Sequence, residues 1–343
     1  MKAVNIAYSL IIAIGTGFIL VIGKTILLPL VAALIIWFLI KAVRDFVSNL
    51  SVGKKHLPAW IQTTLVFVLI IGMLSIVGIL LSANIVKMID VLPSYEENIS
   101  NLMSSINERF NVDVSVMLKD YAGGVELTDL LRNILNSLSE LLGNAFLVII
   151  YVIFLLIEER AFPKKIAAIF TSAENQERIS VLLKKLNHSI NSYVLIKTMV
   201  SLITGTLSFI ALKIIGIDFA FFWAFIIFLL NYIPTIGSLI ATFFPALAAI
   251  LQMGELTPFF YVLASVGTIQ LVMGNVVEPK LMGSNLNISV LVVVLALIFW
   301  GSIWGIIGMV LCIPITVIMI KVFALFDKTR SIAILLSGDG KLE

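Results

Sequence analysis

Charge is scarce in this sequence. Lys, Arg, Asp and Glu make up 13% of its 343 residues, where globular proteins carry roughly 25%. A soluble two-domain chain of this length is excluded on that ground. There is one cysteine, Cys312, so no intrachain disulfide can form, and its apolar setting marks it as a packing residue. The two histidines, His56 and His188, stand alone. No second histidine, cysteine or carboxylate sits at metal-binding spacing, so neither a metal nor a cofactor is expected. No basic cluster with interleaved aromatics points to nucleic acid. The sequence has no His-Glu-x-x-His, no Gly-x-Ser-Gly and no intramembrane aspartate pair, which argues against an intramembrane enzyme. Gly17 and Gly23-Lys24-Thr25 superficially match a phosphate loop. The spacing is one residue too long and the intervening residues are apolar, so ATP is not the driver.

What is abundant is apolar length. Hydrophobic residues make up 60% of the chain and the mean hydropathy is +1.13. Several runs reach the roughly 20 residues that span a bilayer as helix. The expected fold is an all-α polytopic membrane protein, with about six spanning helices plus two broken or re-entrant helical hairpins in the C-terminal half. Residues 3–22 and 25–40 are the first two spans, joined by a tight connection at Gly23-Lys24. Lys41, Arg44, Lys54 and Lys55 then face one acid, Asp45, in the loop 41–58. The positive-inside rule makes that loop, and hence the N-terminus, cytoplasmic. Residues 60–86 form a third span.

Residues 87–140 differ, with nine acids against four bases, which places them outside. Ile99, Leu102, Met103, Ile106 and Phe110 follow helical spacing. Gly123-Gly124 interrupts, and a leucine stripe from Leu127 to Leu142 runs on into the fourth span, 141–157. The basic stretch 158–192 reads as cytoplasmic, with an amphipathic face suited to the inner leaflet or to neighbouring helices. The fifth span, 193–215, carries Lys197, expected to snorkel to the inner surface. Its face Ser201, Thr204, Gly205, Thr206 and Ser208 suits helix packing and path lining equally. The division expected is 1–86 N-terminal helices, 87–140 extracytoplasmic insert, 141–192 fourth span and cytoplasmic segment, 193–326 transport core and 327–343 cytoplasmic tail.

Two stretches organise the last third. Asn231-Tyr-Ile-Pro-Thr-Ile-Gly-Ser238 divides residues 219–251 into two arms, each short of a full bilayer crossing. A re-entrant hairpin fits it. Gly274-Asn-Val-Val-Glu-Pro-Lys280, leading to Gly283, breaks the end of the sixth span, 257–273. Residues 288–322 are too long for one span, and Gly301, Gly305, Gly308 and Pro314 interrupt them. They read as a second hairpin. Ile233-Pro-Thr-Ile-Gly237 and Trp304-Gly-Ile-Ile-Gly308 resemble each other, as expected where opposed broken helices build a transporter site. Unpaired backbone at membrane depth survives only beside protein or a water-filled cavity, so the breaks are expected to line a solute path. The candidate lining is Asn231, Pro234, Thr235, Gly237, Ser238, Gln270 and Asn275. Glu278 is the candidate for coupling to protons or sodium, because low dielectric favours the protonated carboxyl. Its bland alternative is pairing with Lys280 at the inner interface.

These motifs together, Asn231–Ser238, Gly274–Gly283, Trp304–Gly308 and Pro314, resemble the AI-2E (autoinducer-2 exporter) family of bacterial permeases. The resemblance covers the whole layout. It implies a homo-oligomeric permease of the inner membrane, while Lys321, Lys328 and Arg330 mark a cytoplasmic C-terminus. It also implies a link to quorum sensing through export of autoinducer-2 in some members, and sodium or lithium/proton antiport in others. The residues themselves favour a small neutral polar solute, since the lining is uncharged. A cation/proton antiporter wants more buried acids than Glu278. A non-transporting scaffold whose outer insert binds a partner is the third reading.

Overall fold

The computed structural model describes residues 2–49, 58–110, 145–159, 161–169, 172–282, 287–326 and 328–341. Regular structure among them is helical, apart from one isolated bridge between Ile288 and Ser337. The helices are α1 (Lys2–Ile22), α2 (Lys24–Asn49), α3 (Ala59–Phe110), α4 (Ala145–Glu158), α5 (Phe162–Ile169), α6 (Ala173–Ile215), α7 (Ala220–Leu230), α8 (Ile236–Met253), α9 (Leu256–Val272), α10 (Glu278–Met282), α11 (Val290–Phe323) and α12 (Arg330–Leu336), with a π-helical turn at Met273–Val277 between α9 and α10. Among the described residues six stretches are long and apolar enough to cross a membrane: Lys24–Asp45, Trp60–Val91, Ile179–Ile215, Ile236–Met253, Leu256–Met282 and Val290–Phe323. The chain is therefore an all-α polytopic membrane protein.

Helices outrun the hydropathy. Helix α3 is continuous for 52 residues, about 78 Å at 1.5 Å per residue. It carries the third span and the first part of the 87–140 region as one rod, with Pro93 inside it. Helix α6 is continuous for 43 residues. The stretch 173–192, expected to lie on the inner leaflet or across neighbouring helices, is the first half of that rod. Only the short α5 stands apart. The Gly123-Gly124 break and the 127–142 leucine stripe lie outside the described residues, as do Lys54, Lys55, His56 and Gly283.

The connection at Gly23-Lys24 is a bend. Gly23 N–H donates to the Ile19 carbonyl at 2.8 Å and Leu27 N–H to the Gly23 carbonyl at 2.9 Å, so the ladder resumes within one turn. The Trp304 indole N–H donates to the Leu20 carbonyl at 3.0 Å. A side chain inserted at the ladder is a recognised cause of a local bend.

The chain divides into two compact units. One comprises Met1–Val66, Asn144–Leu195 and Met282–Glu343, the other Phe67–Gly143 and Ile196–Leu281. In the first unit α2 packs along α4. Arg44 Nη2 donates to Glu159 Oε1 at 2.7 Å and its Nη1 donates to Thr63 Oγ1 at 3.1 Å. The Trp37 indole N–H donates to Glu159 Oε2 at 3.3 Å. Burial pushes the Glu159 carboxyl up, but the Arg44 hydrogen bonds and charge, with Lys41 and Trp37 behind them, hold it below the usual carboxylate range. Ile190, Tyr193 and Val194 pack with Ile35, Phe38, Leu39 and Ile313 nearby.

The second unit has the larger core, centred on Phe222, Trp223, Ile227, Leu212, Met88, Val262 and Val266. Helices α8 and α9 form an antiparallel pair seamed by Ala241, Ala246 and Ala249, all fully buried. Small residues let such helices approach closely. Asn98 on α3 donates from Nδ2 to the Leu251 and Gln252 carbonyls, at 3.0 and 2.8 Å, closing the C-terminal end of α8. The Gln252 side chain accepts from Asp218 N–H and donates to the Gly216 carbonyl.

Candidate functional site

The break between α7 and α8 is built from backbone necessity. Proline at 234 has no N–H to continue the ladder. Ile236 N–H instead donates to the Pro234 carbonyl at 2.6 Å, closing a three-residue turn around Thr235. Thr235 sits at φ 58°, ψ −58°, a strained conformation for a β-branched residue. Gly237 is required because a Cβ there would run into the Leu230 carbonyl. The second hairpin closes in the same way within its own unit. Gly305 turns the chain at φ 61°, ψ −142°, a region open essentially to glycine alone. A Cβ on Gly308 would run into the Trp300 carbonyl. Gly237 lies against the Ile233 side chain and Gly308 against that of Trp304, each four residues back and each at 3.0 Å from the position a Cβ would take. The internal likeness read from the sequence is thus a likeness of fold, and α11 is two arms folded at Gly305.

The first break is anchored to α6. Asn231 Nδ2 donates to Ser201 Oγ at 3.0 Å, with both residues buried. The Tyr232 hydroxyl donates to Thr198 Oγ1 at 2.7 Å. On α6, Lys197, Ser201, Thr204 and Ser208 follow helical spacing and all four are buried. Gly205 lets α7 approach, since a Cβ there would lie 3.2 Å from the Ala224 carbonyl and from Phe228 Cβ. The face noted in the sequence therefore serves both uses: Gly205 packs, and its neighbours form a polar stripe.

Gly274–Lys280 does not break the chain. The helix widens instead into a π-turn, with Glu278 N–H bonded to the Met273 carbonyl. Pro279 supplies a reason, because a proline clashes with the carbonyl four residues back in an α-helix, and a widened ladder relieves it. The turn also sets an azimuth. Glu278 lies eight residues beyond Gln270, about 80° off its face in a plain α-helix of 3.6 residues per turn. A π-turn absorbs one residue and leaves the offset at about 20°. Glu278 thereby joins the buried stripe of Val262, Val266 and Gln270.

On that stripe Glu278 meets Lys197. Lys197 Nζ and Glu278 Oε1 are 2.5 Å apart, with side-chain exposures of 5% and 18%. Lys197 is buried on Glu278, and Glu278 does not pair with the exposed Lys280. Gln270 is 5% exposed, yet neither amide atom has a hydrogen-bond partner, and the buried Ser208 hydroxyl is also unpartnered. Such groups are rare in folded proteins and call for an explanation.

Asn231, Gln270 and Glu278 are thus buried or half-buried polar groups of one unit. Pro234 and Ser238 are half-buried at the break, Gly237 is buried and Thr235 is exposed. Asn275 is exposed on the π-turn. Lys197 is the residue that the sequence reading missed. Its signal was available: it stands four residues before Ser201, at the foot of the same helical face.

A polar stripe in an apolar helical unit, a strained break and a charge pair within two candidate spans make a transporter-like arrangement. The sequence profile of the AI-2E family transporter matches residues 8–327. The chain belongs to the AI-2E transporter family. It is 32% identical over 320 residues to the AI-2 transport protein TqsA of Escherichia coli (strain K12), covering 92% of this chain and 90% of that protein. It is 28% identical over 339 residues to YhhT of the same organism, covering 93% and 95%, and 27% identical over 320 residues to YueF of Bacillus subtilis (strain 168), covering 88% and 84%. Within this AI-2E transporter, family and relatives point to transport rather than catalysis.

Proposed function

We propose that this AI-2E family member moves a small polar, hydroxylated, AI-2-like solute across the bacterial inner membrane without ATP, along the polar stripe of its second unit. The protein acts as a homo-oligomer with cytoplasmic termini. One observation carries the reading: Gln270 is buried with both amide atoms unpartnered, in the same unit as the buried hydroxyls of α6 and the Asn231 amide at a strained helix break. A passing hydroxylated solute would supply the missing hydrogen bonds, which offsets the cost of keeping those groups dry. Asn231, Gln270 and Ser208 bind the solute; Pro234, Thr235, Gly237 and Ser238 shape the break; Glu278 couples to an ion.

The test is counterflow in proteoliposomes with a panel of neutral polyols. Asn231→Leu and Gln270→Leu are expected to abolish counterflow while the protein still inserts and assembles. Undiminished counterflow in both variants overturns the path. The second reading, a sodium or lithium/proton antiporter, is favoured by the Lys197–Glu278 pair. It requires pH-driven sodium efflux with no polyol present.

A further inference from the structure

We propose that Glu278 is a binding site for a monovalent cation, and that the Lys197 ammonium is a tethered occupant which the free ion must displace. The inference rests on the transport reading and adds the residue that makes Glu278 exchangeable.

Three observations converge on it. The pair is isolated: among the described residues no other ion pair reaches Lys197 or Glu278. For such a pair the cost of desolvating two charges nearly cancels their attraction. Exchanging one cation for another at the carboxylate therefore changes the total little, whereas leaving the carboxylate bare costs much. The second observation is the π-turn, which turns Glu278 onto the buried stripe. Such turns recur at functional sites. The third is the supply of neutral oxygens. Ser201 lies one turn along α6 from Lys197, and Asn231 uses Nδ2 on Ser201, leaving its Oδ1 as an acceptor.

One carboxylate with neutral oxygens suits a singly charged, hard cation: a proton, sodium or lithium. A divalent ion would want more negative charge, and no group of three or more His, Cys, Asp or Glu that could hold a metal occurs among the described residues. The other ionisable groups nearby within the unit are the Tyr232 phenol, bonded to Thr198, and Lys280, which is exposed. On α6 itself His188 is exposed. Glu278 thus has one cation to exchange and no second acid to share it.

The exchange balances simply. An arriving cation takes the Glu278 carboxylate, and the ammonium swings away on its four-carbon stem, still charged. The stripe holds one extra positive charge until the ammonium returns and expels the ion.

The test reads binding without solute flux, so its failure is distinct from failure of the path. The melting temperature of the full-length protein in detergent is measured against sodium at constant ionic strength, with choline as the balancing ion, and against pH. Wild type, Lys197→Met, Glu278→Gln and the double variant are compared. Lys197→Met, with its carboxylate bare, is expected to gain stability with sodium, lithium or falling pH. Its half-effect should come at roughly tenfold lower cation than in wild type, since a bound ligand stabilises in proportion to its affinity for the native state. Glu278→Gln and the double variant are expected to show no such response. A response to pH alone assigns the site to the proton, and a response to sodium assigns it to the metal ion. If Lys197→Met responds to neither, or the double variant responds as the single one does, the proposal is wrong. Should Lys197→Met fail to fold, a cation or pH response present in wild type and absent in Glu278→Gln supports the proposal, and equal responses overturn it.

Discussion

Among the described residues each unit contains a partly buried Lys or Arg–Glu pair, and the two pairs are built differently. In the first, Arg44 contacts both carboxylate oxygens of Glu159 and also donates to Thr63, while the Trp37 indole holds the carboxylate from another direction. Moving either charge breaks several bonds at once. In the second, Lys197 meets Glu278 through one contact and in deeper burial. A planar guanidinium fork fixes geometry, whereas an ammonium on a flexible stem does not. The first arrangement is over-determined and suits a brace. The second is held by one contact and suits an exchange.

That contrast can be broken in order of expected effect. Glu278→Gln is expected to cut solute flux in proteoliposomes by about tenfold or more, equivalent to roughly 1.4 kcal/mol of lost transition-state stabilisation. Adding Lys197→Met to restore charge balance should not recover it. Full flux in the double variant would make this pair a brace like the other. Arg44→Met is expected to lower unfolding stability by about 2 kcal/mol, the range for lost charged hydrogen bonds, with flux per folded molecule unchanged. Denaturant titration beside flux separates the two quantities.

A gentler test uses pH. Because the folded-state Glu159 carboxyl sits below its ordinary value, its stabilisation is present above the unfolded carboxylate's titration. It fades as pH falls through the folded one. Wild type is therefore expected to lose stability on acidification more steeply than Arg44→Met. Parallel acid limbs would show that the pair adds nothing. Smallest of all, Tyr95→Phe removes a 3.4 Å contact with Asp218 and should cost about 0.5 kcal/mol, with no effect on flux.

Local sequence carried the two turns. Pro234 with Gly237, and an apolar run with Gly305 and Gly308 that is too long for one span, force turns whatever surrounds them. The same logic misjudged Gly274–Lys280, because a helix approaching a proline can widen its ladder instead of breaking. Hydropathy located where apolar surface ends near residues 86 and 193, but helices α3 and α6 do not begin or end there, since backbone hydrogen bonding continues on polar residues equally well. Lys197 was misplaced for a different reason. Its partner is 81 residues downstream, and its position on a buried face depends on a π-turn that no local pattern announces. The Ser201, Thr204 and Ser208 spacing could have corrected this, had the lysine four residues earlier been counted with them.

Thr235 has a consequence for motion. The Ile236 amide is protected by a three-residue ring around a backbone conformation that threonine resists, so opening that ring releases tension instead of building it. Local opening free energies differ widely within one fold. The Ile236 amide should therefore trade its hydrogen for deuterium well before the amides one turn further into α8. A glycine at 235 would slow that trade by removing the reason to open.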